Sequence, residues 1–179
     1  LKNLCRIYKK KIKYFNLLYL QRKKTLGQGI NFFDVEKRNI SNGYIWPVGD
    51  DDFLLLKQSV DFINKIIKFT PDVAVCEFRQ GKKNSSGTFF KGKSRMIFDV
   101  AKGLEFIQRF GKCTSIVFKR PSNKLIFKAE RMFLGCMYED RPLTVISFLC
   151  SQKPSLYLKT ELTATADKDF GTLKYSMRV

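Results

Sequence analysis

Between Arg79 and Arg95 the chain places Lys82, Lys83, Lys91 and Lys93 with no acidic residue among them, and Phe89 and Phe90 lie between the charges. A phosphodiester chain needs cations at its own spacing, and unpaired bases need flat apolar faces on which to stack. Gly81, Gly87 and Gly92 punctuate the stretch and let a backbone approach closely. Phe89 and Phe90 are adjacent, so in a strand they point to opposite faces. Phe89, in phase with Lys91, is expected to be the platform and Phe90 a core residue. A second basic cluster, Arg109, Lys112, Lys119, Arg120, Lys124, Lys128 and Arg131, would continue the same surface. A solvated hairpin with its phenylalanines turned inward would use the same residues.

Residues for catalysis are harder to find. Histidine is absent, which removes the commonest general base and metal ligand. No glycine-rich loop ends in Lys-Ser or Lys-Thr, as a phosphate-binding loop would. Cys5, Cys76, Cys113, Cys136 and Cys150 are too scattered for a zinc site or a disulfide framework, and are expected to be reduced and mostly buried. Asp50, Asp51 and Asp52 could hold a divalent cation, but they stand just ahead of an amphipathic helix and read more simply as its cap. Asp167 and Asp169 read as turn carboxylates. The expectation is therefore no catalytic residue, no metal and no cofactor.

Charge points the same way. The 179 residues carry 34 Lys and Arg against 16 Asp and Glu, a formal +18. Such self-repulsion calls for a polyanion, whether nucleic acid, an anionic membrane surface or an acidic protein. With 44% hydrophobic residues the chain can still bury a core, and its 17 Phe leave some to spare for a surface. No apolar run approaches the roughly 18 residues that span a bilayer.

The elements that must position these residues fall into three parts. Residues 1–27 form a basic arm in which Lys9, Lys10, Lys11, Lys13, Arg22, Lys23 and Lys24 meet no acid. The chain opens on Leu1 rather than Met, and the arm also has the acid-poor character of organelle import sequences. An arm along nucleic acid is preferred, because a presequence would be removed. Residues 28–112 read as strands then helix, twice. Strands are expected at 30–35, 44–48, 73–78, 88–91 and 93–100. Helices are expected after Asp52, with the apolar stripe Phe53, Leu56, Val60, Ile63 and Ile67, and at 101–110, capped by Asp99. Residues 113–179 read as an antiparallel β region on the same core, with strands at 115–118, 125–129, 132–138, 144–149, 157–162 and 173–177. The expected class is α+β, with curved antiparallel sheets, two amphipathic helices and a repeated strand-helix unit.

Three stretches carry a family resemblance. YIWPVGDDDFLLLKQSVDFINKII, from Tyr44 to Ile67, resembles the last strand and helix of one half of a Whirly domain. Phe90-Lys91-Gly92-Lys93-Ser94 is similar to that family's Lys-Gly-Lys-Ala/Ser signature, and KSRMIFDVAKGLEFIQRF, from Lys93 to Phe110, resembles a PUR repeat. Here the Lys-Gly-Lys stretch follows the first helix, whereas in Whirly it comes early. The resemblance, shared with mitochondrial guide-RNA-binding proteins, implies single strands held over curved sheets by Lys91, Gly92 and Lys93.

The expected function is non-catalytic binding of RNA or single-stranded DNA by Arg79, Lys82, Lys83, Phe89, Lys91, Gly92, Lys93, Arg95, Lys112, Lys119, Arg120, Lys124 and the arm. The expected setting is a mitochondrion or another organelle, with a homo- or hetero-oligomer allowed. A structural role in a mitochondrial ribosome or another ribonucleoprotein, with other proteins of that assembly as partners, and a matrix-like role on a membrane surface are the alternatives.

Overall fold

The computed structural model describes residues 28–38, 43–49, 52–80, 90, 92–109, 113–134 and 140–166. The arm, Lys82, Lys83, Phe89, Lys91 and Lys112 lie outside the described residues, as do Asp167, Asp169 and the strand expected at 173–177.

The best sequence signal lies in Val73-Ala74-Val75-Cys76. An apolar run without polar alternation suits a strand covered on both faces. It forms β3 (Val73–Gln80), inside a six-stranded curled sheet. Before it come α1 (Gln28–Arg38), β1 (Tyr44–Ile45), β2 (Asp52–Leu54) and α2 (Leu56–Phe69). After it come β4 (Arg95–Ile97), α3 (Val100–Arg109), a 3-10 turn at Cys113–Ser115, β5 (Ile116–Lys119), α4 (Asn123–Phe133), α5 (Asp140–Leu149) and β6 (Leu156–Ala166).

The strand order is β1-β5-β3-β6-β2, and β4 also pairs with β6. β3 and β6 run parallel from Val73↔Leu156, while the other pairings are antiparallel. β6 shares one edge with β3. Its other edge takes β4 at Leu156–Leu158 and β2 at Ala164–Ala166, which leaves a short gap between them.

Alternation along the strands divides two layers. Val73, Val75, Ile116, Phe118, Leu156 and Leu158 pack against Phe33 of α1, Ile107 of α3, Ile126 and Ala129 of α4, and Leu143 and Phe148 of α5. Ala74, Cys76, Val117 and Tyr157 face Phe62 and Ile66 of α2. Gly103 is forced by close packing: a Cβ there would sit 2.4 Å from the Phe148 ring.

The mixed α+β class is as expected, and its details differ from the sequence reading. Five helices rather than two occur among the described residues, and the central strand pair is parallel. Residues 30–35 lie in α1, 125–129 in α4 and 144–149 in α5, where strands were expected. The β-branched run Thr144-Val145-Ile146 favours a strand locally. Pro142 in the first turn suits a helix start, and burial of Leu143 and Phe148 holds that helix on the sheet. In α4, Ile126 and Ala129 are buried and Phe133 packs beside them, a three-to-four-residue period.

Two further expectations are corrected. Asp52 does not cap α2: it belongs to β2, and Leu55 takes the cap position without a side-chain cap bond. The stripe Leu56, Val60, Ile63 and Ile67 is exposed, Leu56 at 80%, whereas Ser59, Phe62 and Ile66 are buried. The backbone bond from Leu55 N–H to the Thr163 carbonyl, 2.9 Å, and that from the Ser59 hydroxyl to the same carbonyl, 3.4 Å, set the rotation of the helix. Asp99 does cap α3, its Oδ1 accepting from Lys102 N–H at 3.0 Å.

Candidate active-site corner

In sheets of this kind ligands gather beyond the carboxyl ends of the parallel strands. At that end, where β1 stops, β3 approaches its end and β5 begins, side chains and backbone knit a polar corner. The Trp46 indole donates to the Thr114 carbonyl at 2.9 Å, and the Gly49 N–H donates to the Thr114 hydroxyl oxygen at 3.0 Å. That hydroxyl in turn donates to the Asp52 carboxylate. The Asp52 N–H donates to the Gly49 carbonyl at 3.3 Å, closing a short loop around residues 50 and 51, which lie outside the described residues. Thr114, fully buried, is thus the post to which both ends of the loop are tied.

Glu77 and Cys76 of β3 are buried beside Thr114. Burial pushes the Cys76 thiol up to about 12, which makes it a poor nucleophile at neutral pH. Glu77 is a carboxylate inside the fold at this end, a position that sequence reading passed over because one Glu in an apolar strand carries no pattern.

α5 is fastened at the other end of β3. Near its far end the Ser147 hydroxyl donates to the carbonyls of Asp72, 3.3 Å, and Lys119, 2.5 Å, at the start of β3 and the end of β5.

Chemically the corner offers hard oxygen donors. Among the described residues no group of three metal-binding side chains assembles. Asp50, Asp51 and Asp52 are the residues that could hold a cation, and only Asp52 is described.

The basic residues expected to form one surface are scattered. Arg79 is exposed near the end of β3, and Lys93 and Arg95 flank β6 at the sheet edge. Gly92 takes a positive φ of 100°, a conformation suited to glycine. Lys119, Arg120 and Lys124 cluster at the opposite end of β3, where the Lys119 N–H donates to the Asp72 carbonyl at 2.8 Å. Arg120 is tied inward, donating to the Glu36 carbonyl at 2.8 Å and to Asn123. Phe90 is a core residue against Phe106. Among the described residues helices pack against both sheet faces, four on one and α2 on the other.

No protein-family model and no curated protein matches the sequence. Among solved structures, the chain is similar to S. aureus TarS 1-349 at a TM-score of 0.63 and 15% identity. The match covers 92% of this chain and 48% of that one, so the chain spans about half of the TarS structure. TarS is a glycosyltransferase. The finding corrects the Whirly and PUR resemblance, and with it the expected non-catalytic nucleic-acid role and its alternatives. The residues behind that resemblance are real, but they sit in another topology. Tyr44–Ile45 and Arg95–Ile97 lead to helices on opposite faces of one sheet rather than to repeated units. The chain therefore has the fold of part of TarS.

Proposed function

We propose that the chain is a catalytic portion of a glycosyltransferase that takes its sugar from a nucleoside-diphosphate donor. The observation that carries the reading is Asp52, held by Thr114 at the carboxyl end of a sheet whose fold resembles that of TarS. Sugar transfer from such a donor leaves a diphosphate whose charge must be neutralised. A divalent cation bound through one or two carboxylates and the phosphates meets that need. The run Asp50-Asp51-Asp52 fits as its protein ligands: the donors are hard oxygens, and the Gly49 and Thr114 bonds fix where the run ends. When bound, the cation would stabilise charge on the leaving diphosphate. The chain's own part is to orient the Asp52 carboxylate and shield the corner with Trp46.

Trp46 is the one tryptophan of the chain and donates to Thr114, so its fluorescence reports on the corner. Titration of the full chain with manganese chloride is expected to change that fluorescence saturably in the presence of uridine, guanosine or cytidine diphosphate. The response should weaken at least about 10-fold in Asp51→Asn, which leaves the Thr114–Asp52 bond in place. A folded chain whose fluorescence ignores manganese with all three nucleotides would overturn the reading.

A further inference from the structure

A second polar site lies on the α2 side of the sheet, in the gap that β4 and β2 leave along β6. A cleft of about 220 Å³ is lined there by Asp61, Lys65 and Phe69 of α2, by Ser94, Arg95 and Met96, and by Tyr157, Lys159 and Glu161. It shares no lining residue with the Asp52 corner.

Its construction is specific. Tyr157, Lys159 and Glu161 alternate on one face of β6. Just beyond, β6 advances three residues while β3 advances one, from Cys76↔Lys159 to Glu77↔Leu162. Such bulges re-aim side chains and end pairing. The Lys159 side chain is only 5% exposed, yet its ammonium reaches Asp61 at 2.5 Å and Glu161 at 3.4 Å. The Ser94 hydroxyl donates to Glu161 at 2.8 Å and accepts the Thr160 N–H at 3.1 Å. The Asp61 carboxyl is held below its usual range, chiefly by the hydrogen bond from Lys159. Burial pulls the Lys159 ammonium down, but its bond to Asp61 and the charges of Glu161 and Asp61 outweigh that and leave it raised. The three groups therefore stay ionised across the neutral range.

This balance selects the ligand. An anion drawn to Lys159 would also approach Asp61 and Glu161, and a cation drawn to those carboxylates would meet Lys159. Desolvating a further unpaired charge there is costly. A neutral molecule rich in hydroxyl groups both donates to the carboxylates and accepts from Lys159 and Lys65, while the Arg95 guanidinium lies over the Phe106 ring on the other face. The cleft also has an apolar wall, with the Phe69 and Tyr157 rings 5.5 Å apart and tilted by 42°. An aromatic wall beside paired charged acceptors suits a ring with C–H groups on one face and hydroxyls at its rim. The volume is below the usual range for drug-sized ligands, which argues for a small one.

We propose that this cleft binds a single neutral sugar ring. The inference goes beyond the donor reading and does not depend on it. A sugar here would be gripped away from the diphosphate corner, as part of an acceptor or a product would be.

The test is saturation-transfer NMR on the full chain without metal or nucleotide. The probes are methyl glucoside, methyl galactoside, N-acetylglucosamine and ribose, with inorganic phosphate as the competing anion. The expected result is transfer to at least one sugar, unchanged by phosphate. Affinity should fall at least about 10-fold in both Phe69→Leu and Glu161→Gln, each checked by thermal melting. Binding displaced by phosphate would assign the cleft to an anion. Absence of transfer to every sugar from the folded chain, or binding untouched in two folded variants, would equally overturn the proposal. Because Trp46 does not line the cleft and no cation is added, failure here is distinct from failure at the corner.

Discussion

The two sides of the sheet are built to different ends. One side carries four helices over an apolar cluster that runs from Phe33 to Leu158. Among the described residues the other carries α2 alone, and on it lie the Trp46–Thr114–Asp52 corner and the Lys159 cleft. Four helices cover a six-stranded sheet; one helix cannot, so polar groups at the ends and edge of the sheet stay within reach of solvent and ligands. Apolar burial concentrates on the thick side, and the polar clusters named above lie on the thin side.

The sharpest way to break that contrast is to cut the thick side. Phe148→Ala removes a fully buried ring and is expected to cost about 3–5 kcal/mol, read by denaturant unfolding. Gly103→Ala should cost about 1–3 kcal/mol, because its methyl group would drive into that ring. In a Phe148→Ala background the Gly103→Ala penalty should largely vanish. Additive losses would show that the α3–α5 approach is not what requires glycine.

A smaller effect concerns a buried carboxyl on the thick side. Glu36 is buried between α1 and Arg120, and burial, partly opposed by the Arg120 charge, raises its carboxyl to about 7. Below about pH 4.5 it is protonated in both folded and unfolded chains, so it has no effect. Between there and pH 7 the unfolded chain releases its proton first, and stability falls as pH rises; above 7 the full penalty stands. Glu36→Gln removes the titration. It should therefore stabilise the protein at pH 8 by up to about 3 kcal/mol and change little at pH 4. Unfolding curves at the two pH values check this, and equal effects at both would exclude the buried carboxyl as the cause.

The smallest effect belongs to the thin side. Leu56→Gln and Ile67→Gln lie on the outward face of α2 and should shift stability by no more than about 0.5 kcal/mol each. Phe62→Ala, five or six residues away on the inward face, should cost several times more. A large loss at Leu56 would restore the stripe as a core-facing surface.

How much was legible varies by element. β3, β5, α2 and α3 could be read from local pattern, and the Asp99 cap was found because its signal lies within three residues. α1, α4 and α5 could not. Their short Phe- and Ile-rich runs have comparable local preference for strand and helix, and only the sheet they cover breaks the tie. The site was legible in fragments: the aspartate run was visible and weighed for a cation, but read as a cap. Thr114, Glu77 and Lys159 carried no signal, because each gains meaning only from residues far away in the chain.

The sequence by itself determined the things that depend on neighbours: a chain able to bury a core, an α+β class, one buried strand and two helices at known places. The tertiary structure decided which face of α2 turns inward, that β6 lies parallel to β3, and that Asp52, 62 residues from Thr114, is tied to it. The physical reason is that a helix with apolar residues on two sides, or a lone carboxylate in a strand, has near-equal local options. Burial and hydrogen bonding across the fold supply the few kcal/mol that choose among them.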